Sequence, residues 1–263
     1  MRITIAGYGF VGKAMEAYLQ QTSNQIAVID PKISSKKIST TEPNGVIVCV
    51  STPQSADGSC DMSNVIDVLS DIEPKTHVLL KSTISLEGWN KLRHKFPTHL
   101  ISYSPEYIRA ETANQDMLNN IDIKLGGGNF YWWERTLQRN DKLVKVSYAR
   151  PEDLILAKYF RNSFLATKVA FFNQIYDLCN ATGIDYEAVA SLITEDNRIG
   201  DSHTRVTSER GFGGHCFPKD LSALIRLSFQ LNTTNNVLCA TESTNDDIRA
   251  NRDWEAMKGR AIV

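Results

Sequence analysis

The chain has 263 residues, a formal net charge of −1 and 22% charged residues. That length suits two domains, and the balanced charge excludes a global attraction to nucleic acid or to an anionic membrane. The five cysteines (Cys49, Cys60, Cys179, Cys216, Cys239) form no CxxC pair, the histidines are scattered, and no apolar run approaches the ~18–20 residues of a membrane span. A cytoplasmic protein without metal or disulfides is expected.

Six short apolar runs open the chain: "RITIA", "QIAVID", "GVIVCV", "HVLLKS", "HLISYS" and "IDIKLGG". Rich in β-branched and aliphatic residues and mostly bounded by Gly, Pro, Asn or Ser, they read as strands buried on both faces, as in a parallel sheet covered by helices. "SSKKISTTEPN" is the one loop-like polar stretch. After "KLVKVSYARP" the pattern turns helical: residues 152–182 contain neither Gly nor Pro, and Gly183 supplies a stop. A helix of roughly eight turns, apolar on more than one side, outruns the cover that one small core needs, so part of it is expected on another chain. Two more helices are expected, from Asp185 and from Pro218.

The first strand runs into "GYGFVG", where Gly7, Gly9 and Gly12 have GxGxxG spacing. The first glycine permits the tight turn, the second lets backbone approach a pyrophosphate, and the third lets helix pack on strand. With Phe10 and Val11 this turn opens a helix whose N-terminal amides face the anion. The fold class expected is α/β, a Rossmann-type doubly wound parallel sheet (1–150) followed by an all-α domain on the long helix (151–257). Asp30 ends the second strand, where it accepts from ribose hydroxyls and repels a 2′-phosphate, so NAD is the expected cofactor.

Other residues read two ways. Thr52 and Thr83 follow the third and fourth strands, as ligand contacts in the crevice or as plain caps. Glu106 and Arg109 in "SPEYIRAE" are site residues or a solvated helix start. Lys158 and Asn162 share a helix face four residues apart, either presenting an ammonium and an amide to a substrate oxygen or standing as a solvated Lys and a satisfied Asn. In "GFGGHCFPKD" Cys216 precedes Pro218, a residue suited to a first helical turn. It is either a thiol activated by the helix N-terminus and Lys219 or a buried structural cysteine. Gly211, Gly213 and Gly214 let backbone approach a ligand, and Asp220 lies one turn beyond the cysteine, placed to hold an ammonium or act as a base.

In order, "GYGFVG", "VSTPQSADGSCDMS", "KST", "SPEYIR", "AKYFRNSFLATKVAFFNQIYDLCNATG", "DNRIG" and "GFGGHCFPKD" resemble the UDP-glucose/GDP-mannose dehydrogenase family. The resemblance implies oxidation of a nucleotide sugar's C6 alcohol to a carboxylate with two NAD, UDP-glucose being the leading substrate. UDP-N-acetylhexosamine and GDP-mannose are the alternatives. It implies Cys216 as nucleophile, Lys158 and Asn162 at the oxyanion, Asp220 positioning the lysine or a water, and Thr83 and Glu106 holding the hydrolytic water. Substrate contacts would come from Glu106, Arg109, Lys158, Asn162, Arg198 and Gly213. NAD would lie on Gly7, Gly9, Phe10, Val11, Gly12, Asp30, Thr52 and Thr83, with a homodimer built on the long helix.

Departures from the family's pattern are Ala110 in place of a second Glu, with Glu111 one place late, and only fourteen residues between Asp30 and "GVIVCV". Residues 258–263, "KGRAIV", read as the start of a further nucleotide-binding domain, whose lone strand should be disordered or borrowed by a neighbour. Two rivals remain: a short β-hydroxyacid dehydrogenase, which shares the glycine turn and the Lys/Asn helix but needs no Cys216, and a non-catalytic NAD-binding or dimerisation partner.

Overall fold

Strands β1 (Arg2–Ala6), β2 (Gln25–Ile29), β3 (Gly45–Val48), β4 (His77–Leu80), β5 (Leu100–Tyr103), β6 (Asp122–Gly127) and β7 (Lys145–Tyr148) form one sheet of order β2-β1-β3-β4-β5-β6-β7. The computed structural model describes residues 1–263. It divides into two compact units, residues 1–52 with 60–158, and residues 53–59 with 159–263.

In the first unit β1 to β5 pair in parallel, and side chains along β3 are buried throughout. The chain passes from β1 to β2 on one side and then to β3 on the other, so the loops after β1 and β3 part at a topological switch point. Helix α1 (Phe10–Leu19) covers the sheet through Ala14, Met15, Tyr18 and Leu19, which join Ile3, Ile5, Ile47, Leu79, Leu125 and Trp133 in one core. Helices α2 (Ser63–Ser70), α3 (Leu86–Lys95), α4 (Ala113–Asn119) and α5 (Phe130–Thr136) complete this unit. The polar stretch between β2 and β3 makes a 3₁₀ turn over Ile38–Thr41, pinned by the buried Ile38, in place of a crossover helix.

Two expectations are corrected in detail. The sheet is not wholly parallel: β6 meets β5 antiparallel, over Ser102↔Gly127 and Tyr103↔Gly126. Glycine makes that approach possible, since a Cβ on Gly128 would lie 2.2 Å from the Ser102 Oγ. A seventh strand, β7, extends the edge within "KLVKVSYARP", parallel to β6.

Helix α6 (Pro151–Thr182) spans 32 residues and leaves the first unit at Lys158. In the second unit it is followed by α7 (Tyr186–Thr194), capped by the Asp185 side chain on the Glu187 amide, by α8 (Phe217–Gln230) and by α9 (Asn236–Ile248). Ala166 of α6, Phe212, and Leu221 and Ile225 of α8 form one small core, and Phe172, Cys179, Tyr186 and Ala190 another. No helix is long and apolar enough to cross a membrane.

The last residues are not left without partners. Ala261 is buried, its carbonyl accepts the Gln54 amide (2.7 Å), and the Val263 amide donates to the Gln54 carbonyl (2.9 Å). Segment 53–59 thus gives the terminal residues a single parallel bridge, Gln54↔Ile262, and it is fastened further by Gln54 to Ser222 and Asp57 to Arg226 on α8.

Candidate active site

The glycine turn has the geometry its spacing requires. Gly7 has φ +92°, and a Cβ there would lie 2.8 Å from the Cys49 and Val50 backbone; one on Gly12 would lie 2.1 Å from the Gly7 carbonyl oxygen. Gly9, the exposed N-cap of α1, has nothing within 4 Å of that position. The turn is therefore packed from within and open where an anion would approach the α1 amides. Asp30 reaches it from the end of β2, accepting the Tyr8 amide on Oδ2 (2.7 Å) and the Lys32 amide on Oδ1 (2.8 Å). A dinucleotide's pyrophosphate and ribose suit this cradle.

Across the switch point, Thr52 donates its hydroxyl to the Thr83 carbonyl (2.6 Å), tying the loop after β3 to the loop after β4. The Thr83 side chain is half-buried. Phe10 and Val11 are half-buried in the first turn of α1 and pack on the core below it.

The first unit also holds a buried charge cluster. The Lys158 ammonium, 2% exposed as a residue, forms an ion pair and hydrogen bond with the Glu106 carboxylate and donates to the Glu106 carbonyl (3.3 Å). Lys81, at the end of β4, is buried as well and donates to Ser104 Oγ (3.2 Å) and the Pro105 carbonyl (3.4 Å). Two ammonium groups thus grip consecutive carbonyls of the segment that carries Glu106.

Burial pushes the Lys81 pKa down to about 8, with Lys158 repelling its charge, while Glu106 and Cys49 favour the ammonium. For Glu106, burial favours the neutral acid, but the charge and hydrogen bond of Lys158, the charge of Lys81 and the Ile108 amide outweigh it and hold the carboxyl below its ordinary range. The sequence reading gave Lys81 no role. Its signal was a lysine inside the apolar run "HVLLKS", which cannot be buried unless something compensates it.

In the second unit Cys216 is the N-cap of α8, half-buried and outside any disulfide. Asp220, 1% exposed, accepts from the Lys219 ammonium on Oδ1 (2.7 Å) and from the Asn162 amide on Oδ2 (2.6 Å). A helix N-terminus favours negative charge at the Cys216 position, and the buried Lys219–Asp220 pair orients the half-buried Asn162 amide.

Three expected contacts point elsewhere. Arg109 is exposed and bonds Asp116 through Nε (3.3 Å) and Nη2 (3.1 Å). Arg198 is exposed and folds back onto Asp196. At Gly213 a Cβ would lie 2.2 Å from Asp253 Oδ1 and 2.5 Å from Arg249 Nη2, so this glycine admits side chains of its own unit.

Residues 35–135 match the NAD binding domain of the UDP-glucose/GDP-mannose dehydrogenase family, and residues 155–247 match its central domain. The chain belongs to that family. Among relatives of this family member, the UDP-glucose 6-dehydrogenase YwqF of Bacillus subtilis is 29% identical over 229 residues, covering 81% of this chain and 49% of its own. The UDP-glucose 6-dehydrogenase of Pseudomonas aeruginosa is 26% identical over 300 residues, covering 93% and 65%. The chain thus spans about half to two thirds of these relatives' length.

Of solved structures, a UDP-glucose dehydrogenase from Pyrobaculum islandicum superposes with a TM-score of 0.78 at 23% identity, over 94% of this chain and 68% of that one. A Mycobacterium tuberculosis 3-hydroxyisobutyrate dehydrogenase superposes with a TM-score of 0.69 at 16% identity, over 95% and 94%. Both likenesses concern the fold.

Proposed function

We propose that this chain acts in the oxidation of a nucleotide sugar, UDP-glucose first among candidates, from the C6 alcohol to the carboxylate. The observation that carries the reading is Cys216 at the N-terminus of α8, the helix whose first turn carries the Lys219–Asp220 pair that holds the Asn162 amide. A single alcohol oxidation needs no nucleophilic thiol, whereas carrying an aldehyde to an acid is served by one. NAD, when bound over Gly7, Gly9 and Gly12 with its ribose on Asp30, would supply the hydride acceptor for both oxidations.

The chain's own groups have the following roles. The Cys216 sulfur would bond to the C6 aldehyde carbon, and Asn162 with Lys158 would stabilise the oxygen that gains charge as that bond forms. Oxidation of the thiohemiacetal leaves a thioester. Water held by Thr83 and Glu106 would attack its carbonyl carbon, the carbon–sulfur bond would break, and the thiolate would return with release of the carboxylate. Asp220 would orient Asn162 and balance the Lys219 charge throughout. Arg109, Arg198 and Gly213 remain assigned to the substrate by resemblance; the two arginines would have to exchange their present carboxylate partners for it.

A homodimer through α6 is part of the proposal. Phe160, Phe164, Phe171 and Leu178 are exposed on α6 at intervals of four, seven and seven residues, which puts them in one stripe. The organisation proposed is an NAD domain over 1–150 and a helical catalytic and dimerisation domain over 151–257, in a cytoplasmic protein.

The glycine turn and the Lys158/Asn162 helix also fit a second reading, a single oxidation of a small hydroxyacid. Counting NADH formed per substrate consumed separates them: two for the sugar reaction, one for the hydroxyacid and none for a binding partner. Cys216→Ser should abolish carboxylate formation while NAD titration is unchanged. Wild-type carboxylate output from that variant refutes the thiol's role.

A further inference from the structure

The loop that leads into Cys216 is bent in a way its own sequence does not secure. Arg210, Gly211 and Gly214 all lie in the left-handed region, with φ of +57°, +54° and +74°. Arg210 is strained there, and such conformers persist only where the surroundings over-determine them.

Here they are over-determined from two helices. On α9, the buried Asn245 accepts the Phe212 amide on Oδ1 (2.7 Å) and donates Nδ2 to the Phe212 carbonyl (3.1 Å), holding both backbone groups of one residue. Arg249, just past the end of α9, donates Nη1 to the Arg210 carbonyl (2.8 Å) and Nη2 to Asp253 Oδ1 (3.0 Å). Asp253 Oδ2 in turn accepts the Gly214 amide (3.0 Å). From α6 the buried Asn173 accepts the Gly211 amide (3.1 Å) and Arg210 Nε (2.9 Å) on Oδ1.

The fit leaves no slack, since a Cβ on Gly211 would lie 2.2 Å from Asn245 Oδ1. Gly214 is followed by one residue and then by Cys216. The loop's conformation therefore decides where the chain enters α8.

We infer that Asn245, Arg249 and Asp253 are positioning residues for Cys216, holding the 210–214 loop so that the thiol sits at the N-terminus of α8. The inference rests on the reading of Cys216 as nucleophile. It explains why the glycines are required: they admit the clamp's side chains and supply the left-handed turns.

The test is alkylation of Cys216 by iodoacetamide in the full chain, followed by mass spectrometry from pH 6 to 10, in wild type, Asn245→Ala and Asp253→Asn. Circular dichroism establishes that each variant is folded, and NAD titration reports the first unit. Release of the loop should lower the alkylation rate at pH 7 about fivefold, the scale of losing a helix N-terminus's support for an anion, and move the pH midpoint of alkylation upward, with NAD affinity within twofold of wild type. A purely structural role would lower the unfolding temperature and leave the alkylation midpoint in place. A wild-type alkylation profile in a folded variant overturns the inference. If Asn245→Ala does not fold, Asp253→Asn, which keeps the side chain's size, decides by the same criterion. Alkylation needs no sugar oxidation, so the two readings fail separately. A shifted profile in a protein that forms no NADH would sink the proposed activity alone, and normal NADH output with an unshifted profile would sink the positioning role alone.

Discussion

Neutralising Asp220 should be costly, and neutralising its partner as well should be much less so. Asp220 is 1% exposed, with the Lys219 side chain 8% exposed and 2.7 Å away. Asp220→Asn keeps the shape and an oxygen for the Asn162 amide but removes the charge facing a buried ammonium. Breaking a buried ion pair from one side costs about 3–5 kcal/mol, and the retained amide contact places this case near 3. For a chain of this size each kcal/mol moves the unfolding midpoint by about 2–4 °C, so a fall of about 6–12 °C is expected at pH 7. Lys219→Met alone should also destabilise, by stranding the carboxylate. The double variant replaces the pair with uncharged groups of similar volume and should lose about 1 kcal/mol or less. The assay is denaturant unfolding of all four proteins, analysed as a cycle. Losses that add to within 0.5 kcal/mol, or a single-variant loss below 1 kcal/mol, would refute the view that the charges support each other.

Three further outcomes are expected. Asp30→Asn should reduce the preference for NAD over NADP by about 1–2 kcal/mol, the scale of a charge-assisted hydrogen bond; calorimetric titration with both cofactors checks it, and an unchanged ratio means that Asp30 does not face the ribose. Gly9→Ala should fold normally and bind NAD more weakly, whereas Gly12→Ala, whose methyl would lie 2.1 Å from the Gly7 carbonyl oxygen, should lose stability; equal melting temperatures for the two contradict the packing described. Lys81 has a folded pKa of about 8, below its ordinary 10.5, so between those values the unfolded chain binds more protons and stability rises with pH. The penalty of the buried charge is full below pH 8 and is relieved toward 10.5. The wild type should therefore gain about 3 kcal/mol relative to Lys81→Met between pH 7 and 10.5, a comparison that largely cancels Cys49, whose thiol burial pushes up to about 12. A pH-independent difference would count against the buried ammonium.

Much of the fold was legible because it is written in local chemistry. The six apolar runs are β1 to β6, the Gly- and Pro-free stretch is α6, Asp185 caps α7, and Pro218 lies in the first turn of α8. What escaped depends on partners distant in sequence. Strand β7, "KVSY", is half exposed and mixes polar with apolar residues, so it carries no buried-strand signature. The antiparallel turn of β6 depends on the path of the chain beyond β5, and α9, "NVLCATESTNDDI", reads as polar until Asn245 is seen to hold Phe212. Residue types and spacing drew attention to Lys158 in the first unit and to Asn162, Cys216 and Asp220 in the second, leaving two readings for each. They did not tell which carboxylate each base meets: Lys158 meets Glu106, Asp220 meets Lys219, and Arg109 and Arg198 are tied to Asp116 and Asp196.

The grouping of residues 53–59 with the second unit sets the order in which this molecule can be completed. The segment is made early, yet its fastenings to Ser222 and Arg226 lie 168 and 169 residues further along the chain. At ~5–20 residues per second of synthesis, Gln54 and Asp57 wait on the order of ten seconds or more for those partners. A fragment beginning at Tyr159 would never receive them, and one ending at Lys158 would carry the segment with nothing to bind. The backbone passes between the units three times, at 52–53, 59–60 and 158–159, so no single cut yields two whole pieces. Co-expression of split halves, rather than excision of either one, is the arrangement that preserves both.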